Sequence, residues 1–244
     1  RGLGDVYKRQ SRKTGRTTTA NIPIFRYKCC MSGETISRLG AIAAERWGMI
    51  TTAQAVDAGV PRKVLSGLVA SGAIERLAQG VYRMAGAPAA EHEVDVVRVR
   101  WLALGGVTRH VVAAGRTAAA LHGIGDWFPA ESEFVTPNRR TTRLSDVRLR
   151  MRRVDEEDIV YVDGLPAMTV ERTIADLVEA REDPSLMADA LRHAVQRGTF
   201  LRPRRLAQLL ESLAHRNGEA SGAALAGRLI LAGGVDESWL DRLH

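Results

Sequence analysis

The sequence predicts an α+β protein, in which an amino-terminal unit of three short helices and a β-hairpin precedes a mixed α/β domain and carboxy-terminal helices. Three observations predict this order. Apolar residues recur at helical spacing over 36–71, two short runs of strand-forming residues follow within 74–84, and helix-like and strand-like segments then alternate from 93 onwards. We place the domains at 32–86 for the amino-terminal unit, 93–198 for the mixed domain and 199–244 for the helical extension.

The first thirty residues are left out of this prediction. They hold eight of the 35 basic residues, one of the 28 acidic residues and both cysteines, so they account for the whole net charge of +7. Their opening looks like a translated adaptor fragment and Met31 is a natural start, so we expect 1–30 to be non-native, with a disordered basic arm as the alternative. Overall basicity is therefore no argument for a nucleic-acid partner.

The amino-terminal unit begins with two helices. The first is predicted from Ile36 to Trp47, where apolar residues share one face, and it ends at Gly48. The second is predicted from 53 to 58. Its first amide groups can be capped by the side-chain oxygen of Thr51 or Thr52.

A tight turn then leads to a third helix and a hairpin. Gly59 suits the left-handed residue of the turn, and Pro61 suits the first turn of a helix that ends near Gly72. Short strands are predicted at 74–77 and 81–84. Three helices followed by a hairpin are the elements of a winged helix-turn-helix, whose third helix is placed to enter the major groove of DNA.

The third helix has one apolar and one polar side. Val64, Leu65, Leu68 and Val69 are expected to be buried, whereas Arg62, Lys63, Ser66 and Ala70 lie largely opposite. Arg62 can bond a guanine edge through two hydrogen bonds, and Lys63 and Ser66 suit phosphate or mixed contacts. This side is the predicted recognition surface.

The wing tip is Gln79-Gly80, and the flanking Arg76 and Arg83 can lie along the DNA backbone or in the minor groove. The predicted DNA-binding residues are Thr51, Thr52, Pro61, Arg62, Lys63, Ser66, Arg76, Gln79 and Arg83. A winged helix used for protein contacts is the alternative, because this unit carries only about +2.

A linker at 85–92 is followed by the second domain. The predicted helices are 93–104, 115–121, 169–180, 184–196, 202–215 and 220–231, and the predicted strands are 132–135, 147–154 and 159–162.

Opposed charge blocks mark the second domain. Residues 98–153 hold eleven arginines and four acidic residues, whereas 154–189 hold eleven acidic residues and two arginines. Six arginines stand on or before one predicted strand: Arg139, Arg140, Arg143, Arg148, Arg150 and Arg152. They can form a second nucleic-acid surface, meet an acidic partner protein, or pair with the chain's own acidic segment, which the opposed charges favour.

Several segments resemble the AbiEi-type antitoxins of type IV (abortive infection) toxin–antitoxin systems. They are Gly48–Ala55, Ala58–Arg62 and Gly80–Arg83 in the amino-terminal unit, and Ala118–Gly123 and Gly164–Leu177 in the second domain. Composition alone makes a cytoplasmic protein the expectation, and the resemblance implies an autorepressor whose winged helix binds double-stranded DNA at inverted repeats in its own promoter. It also implies a second domain that counters a nucleotidyltransferase toxin from the adjacent gene in phage defence.

No pattern predicts an enzyme, a cofactor or a metal site. The six histidines lack metal-ligand spacing and no phosphate-binding glycine loop is present. The acidic run 155–158 is more typical of a solvated loop, His122 of a buried or capping histidine, and the polar residues of 169–176 of helix capping and charge pairing.

The remaining alternatives concern partners. No apolar run is long enough for a membrane span, so no membrane partner is expected. A protein-interaction module that neutralises a partner without binding DNA, and a stand-alone winged-helix regulator, both fit the same composition.

Overall fold

The computed structural model describes residues 23–88, 93–106, 110–127, 130–139 and 141–243. The amino-terminal unit contains α1 (Pro23–Ala44), β1 (Met49–Thr51), α2 (Thr52–Asp57), α3 (Arg62–Ala70), β2 (Ile74–Ala78) and β3 (Val81–Met84). The second domain contains α4 (Glu93–Ala103), β4 (Val112–Ala113), α5 (Gly115–His122), β5 (Ser132–Thr136), β6 (Val147–Met151), β7 (Ile159–Val162), β8 (Leu165–Met168), α6 (Val170–Ala180), α7 (Pro184–Gln196), α8 (Pro203–Ala214) and α9 (Gly222–Ala232). The predicted α+β fold with an amino-terminal winged helix-turn-helix is confirmed.

The amino-terminal segment extends the first helix. Residues 23–30, which the sequence analysis set aside, belong to α1, whereas residues 1–22 lie outside the described part of the chain. The predicted linker is described only as far as Pro88.

The winged helix-turn-helix has a third strand that the sequence analysis missed. Its antiparallel sheet has the order β1-β3-β2, so β1 lies on the far side of β3 from its hairpin partner. All three residues of β1 are buried and the strand is too short to show alternation. Behind the sheet, α1, α2 and α3 bury a core that includes Leu39, Ile50, Ala55 and Leu65.

A five-stranded mixed sheet organises the second domain. Its order is β6-β5-β4-β8-β7, with parallel pairing of β5 with β6 and of β4 with β8. Neither β4 nor β8 was predicted. The first has two residues, and the second contains Pro166 and is buried at every position, so neither shows a strand pattern.

The two domains share a core. One face of the five-stranded sheet packs Phe134 and Leu165 against Trp101 of α4, and the same cluster includes Met49 and Val81 of the winged helix-turn-helix. The other face packs against α5. A further cluster joins α6 and α7 to α8 and α9, so the carboxy-terminal helices belong to the core of the second domain.

Trp47 is the centre of the junction between the domains. Its indole Nε1 donates a hydrogen bond to the carbonyl oxygen of Asp163 at 3.1 Å, and the guanidinium of Arg98 lies 4.7 Å from its ring centre. Trp101 meets the same ring edge-on at 6.3 Å. These contacts orient the winged helix-turn-helix relative to the second domain.

Candidate nucleic-acid interface

The third helix presents its first turn to solvent. Pro61 stands at the N-cap with extended backbone, and the helix begins at Arg62. Leu65 and Leu68 anchor its inner side, with 1% and 6% of their surface exposed. Arg62 and Lys63 are exposed, as are Ser66, Gly67 and Ala70. The second domain therefore leaves the cationic first turn uncovered.

The prediction for one residue of this helix was wrong. Val64 was expected in the core, but it is 39% exposed, because it lies at the margin of the buried side. Val69 is half-buried. The exposed face of α3 is therefore wider than the apolar spacing suggested.

The two threonines at the start of α2, the N-cap Thr51 and the first helical residue Thr52, hold the helix and the wing in place. Thr51 Oγ1 accepts a hydrogen bond from the Gln54 amide, and Gln54 Oε1 accepts one from the Thr51 amide at 2.9 Å. This reciprocal pair is a capping box. The amide of Thr52 donates to the carbonyl oxygen of Gly80 at 2.8 Å, so α2 is tied to the wing tip.

Only part of the wing is free for contact. Gln79 and Arg76 are exposed near the tip, where the pairing of β2 with β3 shifts register. Arg83 is different, because its guanidinium is paired with Glu75 and donates to the carbonyl oxygen of Pro88 at 3.4 Å. We therefore place Arg76 and Gln79 at the surface and Arg83 as a support of the sheet.

A cleft of about 1100 Å³ separates this surface from the second domain. On one side it is lined by α2, by Arg62 and by Gln79 of the wing tip. The other side is formed by the end of α4 and by 141–144, so Arg143 opens onto the same cleft as Arg62. The cleft links α3 with the arginine-rich segment.

The six arginines that were predicted as one surface of the second domain differ in exposure and in hydrogen-bond partners. Arg152 is partly buried and makes two hydrogen bonds to the Asp176 carboxylate, at 2.8 and 2.6 Å, so it stabilises the fold. Arg148 is about half exposed, with Glu133 at 4.0 Å. Exposed side chains are found at Arg139, Arg143 and Arg150. Arg140 lies outside the described residues.

The two charge blocks meet in part, because Arg152 pairs with Asp176 and Glu179, and Arg116 pairs with Glu182. The run 155–158 of the acidic segment has another partner. Asp158 is 3% exposed and accepts two hydrogen bonds from Arg205 of α8, at 3.0 and 2.8 Å. Glu157 pairs with Arg202. The run 155–158 was expected to be solvated, and this holds for Asp155, Glu156 and Glu157, which are exposed. Asp158 is the exception, and its hydrogen bonds raise the pKa of the Arg205 guanidinium.

Two further titratable groups are perturbed by burial. Burial raises the pKa of the Glu133 carboxyl, although Arg150 and Arg148 lie close by. Burial lowers the pKa of the His122 imidazole, whose Nε2 donates to the carbonyl oxygen of Met168 at 2.7 Å.

Within the described residues, no cluster of His, Cys, Asp or Glu could hold a metal ion. In the same part of the chain, no helix is both long and apolar enough to cross a membrane.

The segment that contains α2, α3 and the wing also has recognised relatives. Residues 37–85 match the family of AbiEi antitoxin transcriptional regulators. The resemblance seen in the sequence is confirmed over this span, and the family's role is regulation of transcription. The AbiEi match encloses Arg62, Lys63 and Gln79 but stops before the second domain, where the resemblance stays a prediction.

Most of the chain is similar in fold to a solved protein. The RV2827C protein from Mycobacterium tuberculosis superposes with a TM-score of 0.52 and 21% sequence identity, over 86% of this chain and 80% of that chain. At this identity the likeness concerns the fold alone. Comparison with curated proteins found no match.

Proposed function

We propose that this protein is a sequence-specific DNA-binding repressor of its own promoter. The observation that carries the proposal is the exposed cationic first turn of α3, at Arg62 and Lys63, in a segment that matches transcriptional regulators. A recognition helix reads base edges with its amino-terminal residues, and this is the end of α3 that the fold leaves open.

Each residue of the surface has a separate role in this proposal. Arg62 reads a guanine, because its planar fork matches the two acceptors on the guanine edge. Lys63 and Ser66 bind phosphate and so position the helix without specifying sequence. At the wing, Arg76 and Gln79 contact the neighbouring backbone or minor groove, where binding depends strongly on salt.

The second domain supplies a further cationic surface. Arg139, Arg143, Arg148 and Arg150 are exposed, and Arg143 opens onto the cleft beside α3. Their guanidinium groups suit phosphate and carboxylate alike. In the antitoxin role that the AbiEi resemblance implies, this surface contacts either the same duplex or a nucleotidyltransferase-type toxin encoded by the adjacent gene.

A direct test measures binding of the full chain to its own upstream DNA. A fluorescent duplex that covers the intergenic region should bind at about 150 mM salt at least about 1000-fold more tightly than a duplex of scrambled sequence. Inverted repeats in the footprint would support two half-sites. Equal affinity for both duplexes would contradict the proposal and favour the protein-interaction module.

Thr51 provides a prediction that separates structure from contact. Thr51→Ala should lower the free energy of unfolding by about 1 kcal/mol, because the capping box is lost, and should leave the affinity of the folded protein for DNA unchanged. Urea unfolding and anisotropy titration measure the two quantities, and Thr51→Ser, which keeps the hydroxyl, is the control. A loss of affinity without a loss of stability would make Thr51 a DNA contact.

A further inference from the structure

The exposed arginines of the second domain do not all face the same way. Side chains alternate along β6, so Leu149 lies on one face of the sheet, and Arg148 and Arg150 lie on the other. Leu149 belongs to the core cluster under α4 and lines the cleft beside α3. Arg150 lines a smaller pocket on the opposite face, next to Gly115 of α5. Arg148 and Arg150 therefore point away from the cleft, whereas Arg143 lines it.

The cleft has an exposed guanidinium group on each of its two walls. Arg62 belongs to the wall formed by the winged helix-turn-helix, and Arg143 to the wall formed by the second domain. Gln79 of the wing tip and Thr141 add side chains that can donate hydrogen bonds, one from each wall. Asp57, at the end of α2, is a carboxylate among the lining residues. An occupant is therefore met by donors and positive charge from both domains.

The proposed function says what occupies the cleft, and the inference rests on that function. Arg62 and Gln79 line the cleft and are also proposed DNA contacts, so a duplex bound to them lies at its mouth. The volume of about 1100 Å³ exceeds the roughly 300–1,000 Å³ of small-molecule pockets, which leaves room for a polymer strand.

We propose that one sugar-phosphate strand of the promoter duplex enters this cleft and that Arg143 binds one of its phosphates. Phosphate oxygens accept hydrogen bonds and carry negative charge, so they match guanidinium groups on facing walls. The second domain thereby positions the duplex against α3. Arg148 and Arg150, on the other face of the sheet, do not contact this strand.

Substitution of Arg143 in the full chain tests the contact. Arg143→Ala should weaken binding to the promoter duplex about fivefold at about 150 mM salt and lower the slope of log K against log salt by about 0.9, because one phosphate contact is lost. A phosphate carries no base information, so affinity for a scrambled duplex should fall by a similar factor. Arg143→Lys keeps the charge and should keep most of the affinity. Anisotropy titrations at several salt concentrations measure these changes.

Arg150→Ala is the matched control. It removes the same charge from an exposed arginine of the same domain, on the face turned away from the cleft. Its affinity for the promoter duplex should stay within about twofold of the wild type, because salt screens charges that are not in contact.

Neutral methylphosphonates locate the phosphate that Arg143 binds. They replace the phosphates of the promoter duplex one at a time. At one position the wild type should lose about fivefold in affinity, and Arg143→Ala should show no further loss there.

Two outcomes would overturn the inference and leave the proposed function in place. One is that Arg143→Ala binds the promoter duplex like the wild type, with the same salt slope. The other is that Arg143→Ala and Arg150→Ala lose affinity equally, so that net charge and not a contact in the cleft explains the loss. Equal affinity of the wild type for promoter and scrambled duplexes would refute the proposed function, and the inference with it.

Discussion

Replacing Arg62 and Lys63 together by alanine is expected to weaken binding to the promoter duplex by at least about 100-fold. In the proposed complex, Arg62 would supply a two-bond contact worth about 1–3 kcal/mol of discrimination, and Lys63 would release a counterion from a phosphate. Both side chains are exposed on a helix whose buried side is formed by Leu65 and Leu68. The free energy of unfolding should therefore change by less than about 0.5 kcal/mol.

The two single variants separate base recognition by Arg62 from phosphate binding by Lys63. Lys63→Ala should weaken all duplexes about equally and lower the slope of log K against log salt by about 1. Arg62→Ala should relax the preference at one base pair of each half-site. Anisotropy titrations at several salt concentrations on single-base variants of the duplex measure both effects.

A matched loss of charge provides the control for the double variant. Arg204 and Arg228 are exposed on α8 and α9, in the carboxy-terminal helices rather than on the winged helix-turn-helix. Arg204→Ala with Arg228→Ala removes the same charge and should weaken DNA binding only slightly. Equal losses in the two double variants would show that net charge, and not the recognition helix, carries the binding.

Asp176→Ala is expected to lower the free energy of unfolding by about 3 kcal/mol. Asp176 is 7% exposed and accepts hydrogen bonds from both Arg152 and Arg172. Removing the carboxylate leaves two partly buried guanidinium groups without their shared partner. Such an uncompensated charge costs more free energy than replacing both members of an ion pair. Urea unfolding monitored by circular dichroism measures the change.

An exposed pair on α7 is the control for this prediction. Asp189 and Arg192 form an ion pair in which each side chain is about 40% exposed, so Asp189→Ala should cost less than about 0.5 kcal/mol. Arg152→Ala should likewise reduce stability more than DNA affinity. If Asp176→Ala has little effect on the free energy of unfolding and Arg152→Ala loses affinity for DNA, Arg152 is a nucleic-acid contact instead.

Local sequence patterns predicted most elements of the winged helix-turn-helix. The capping threonine, the glycine turn and the proline before α3 act on residues close to them in the chain, and the hairpin follows from two short runs of strand formers. The missed strands β1, β4 and β8 have two to four residues, all buried. Because such strands bury both faces, they lack the alternation that identifies a strand.

The candidate site was only partly predictable, because the partners of its charged residues lie far away along the chain. Arg148, Arg150 and Arg152 alternate along the chain, and the sequence could place them on one face of a strand. It could not show that Arg152 would meet Asp176, which lies 24 residues further on, while Arg150 stayed exposed. The acidic run 155–158 could not be assigned to Arg205 of α8 either.

By itself, the sequence determined the helices, the hairpin and the cationic start of α3, since these depend on spacing, caps and turns within a few residues. Only the tertiary structure decided which charges are free. The cross-strand neighbour Glu75 holds Arg83, and hydrogen bonds between distant segments hold Arg152 and Arg205, whereas Arg62, Lys63 and Arg143 are exposed. A charge buried in the fold needs a partner from another element, and the packing of the elements chooses that partner.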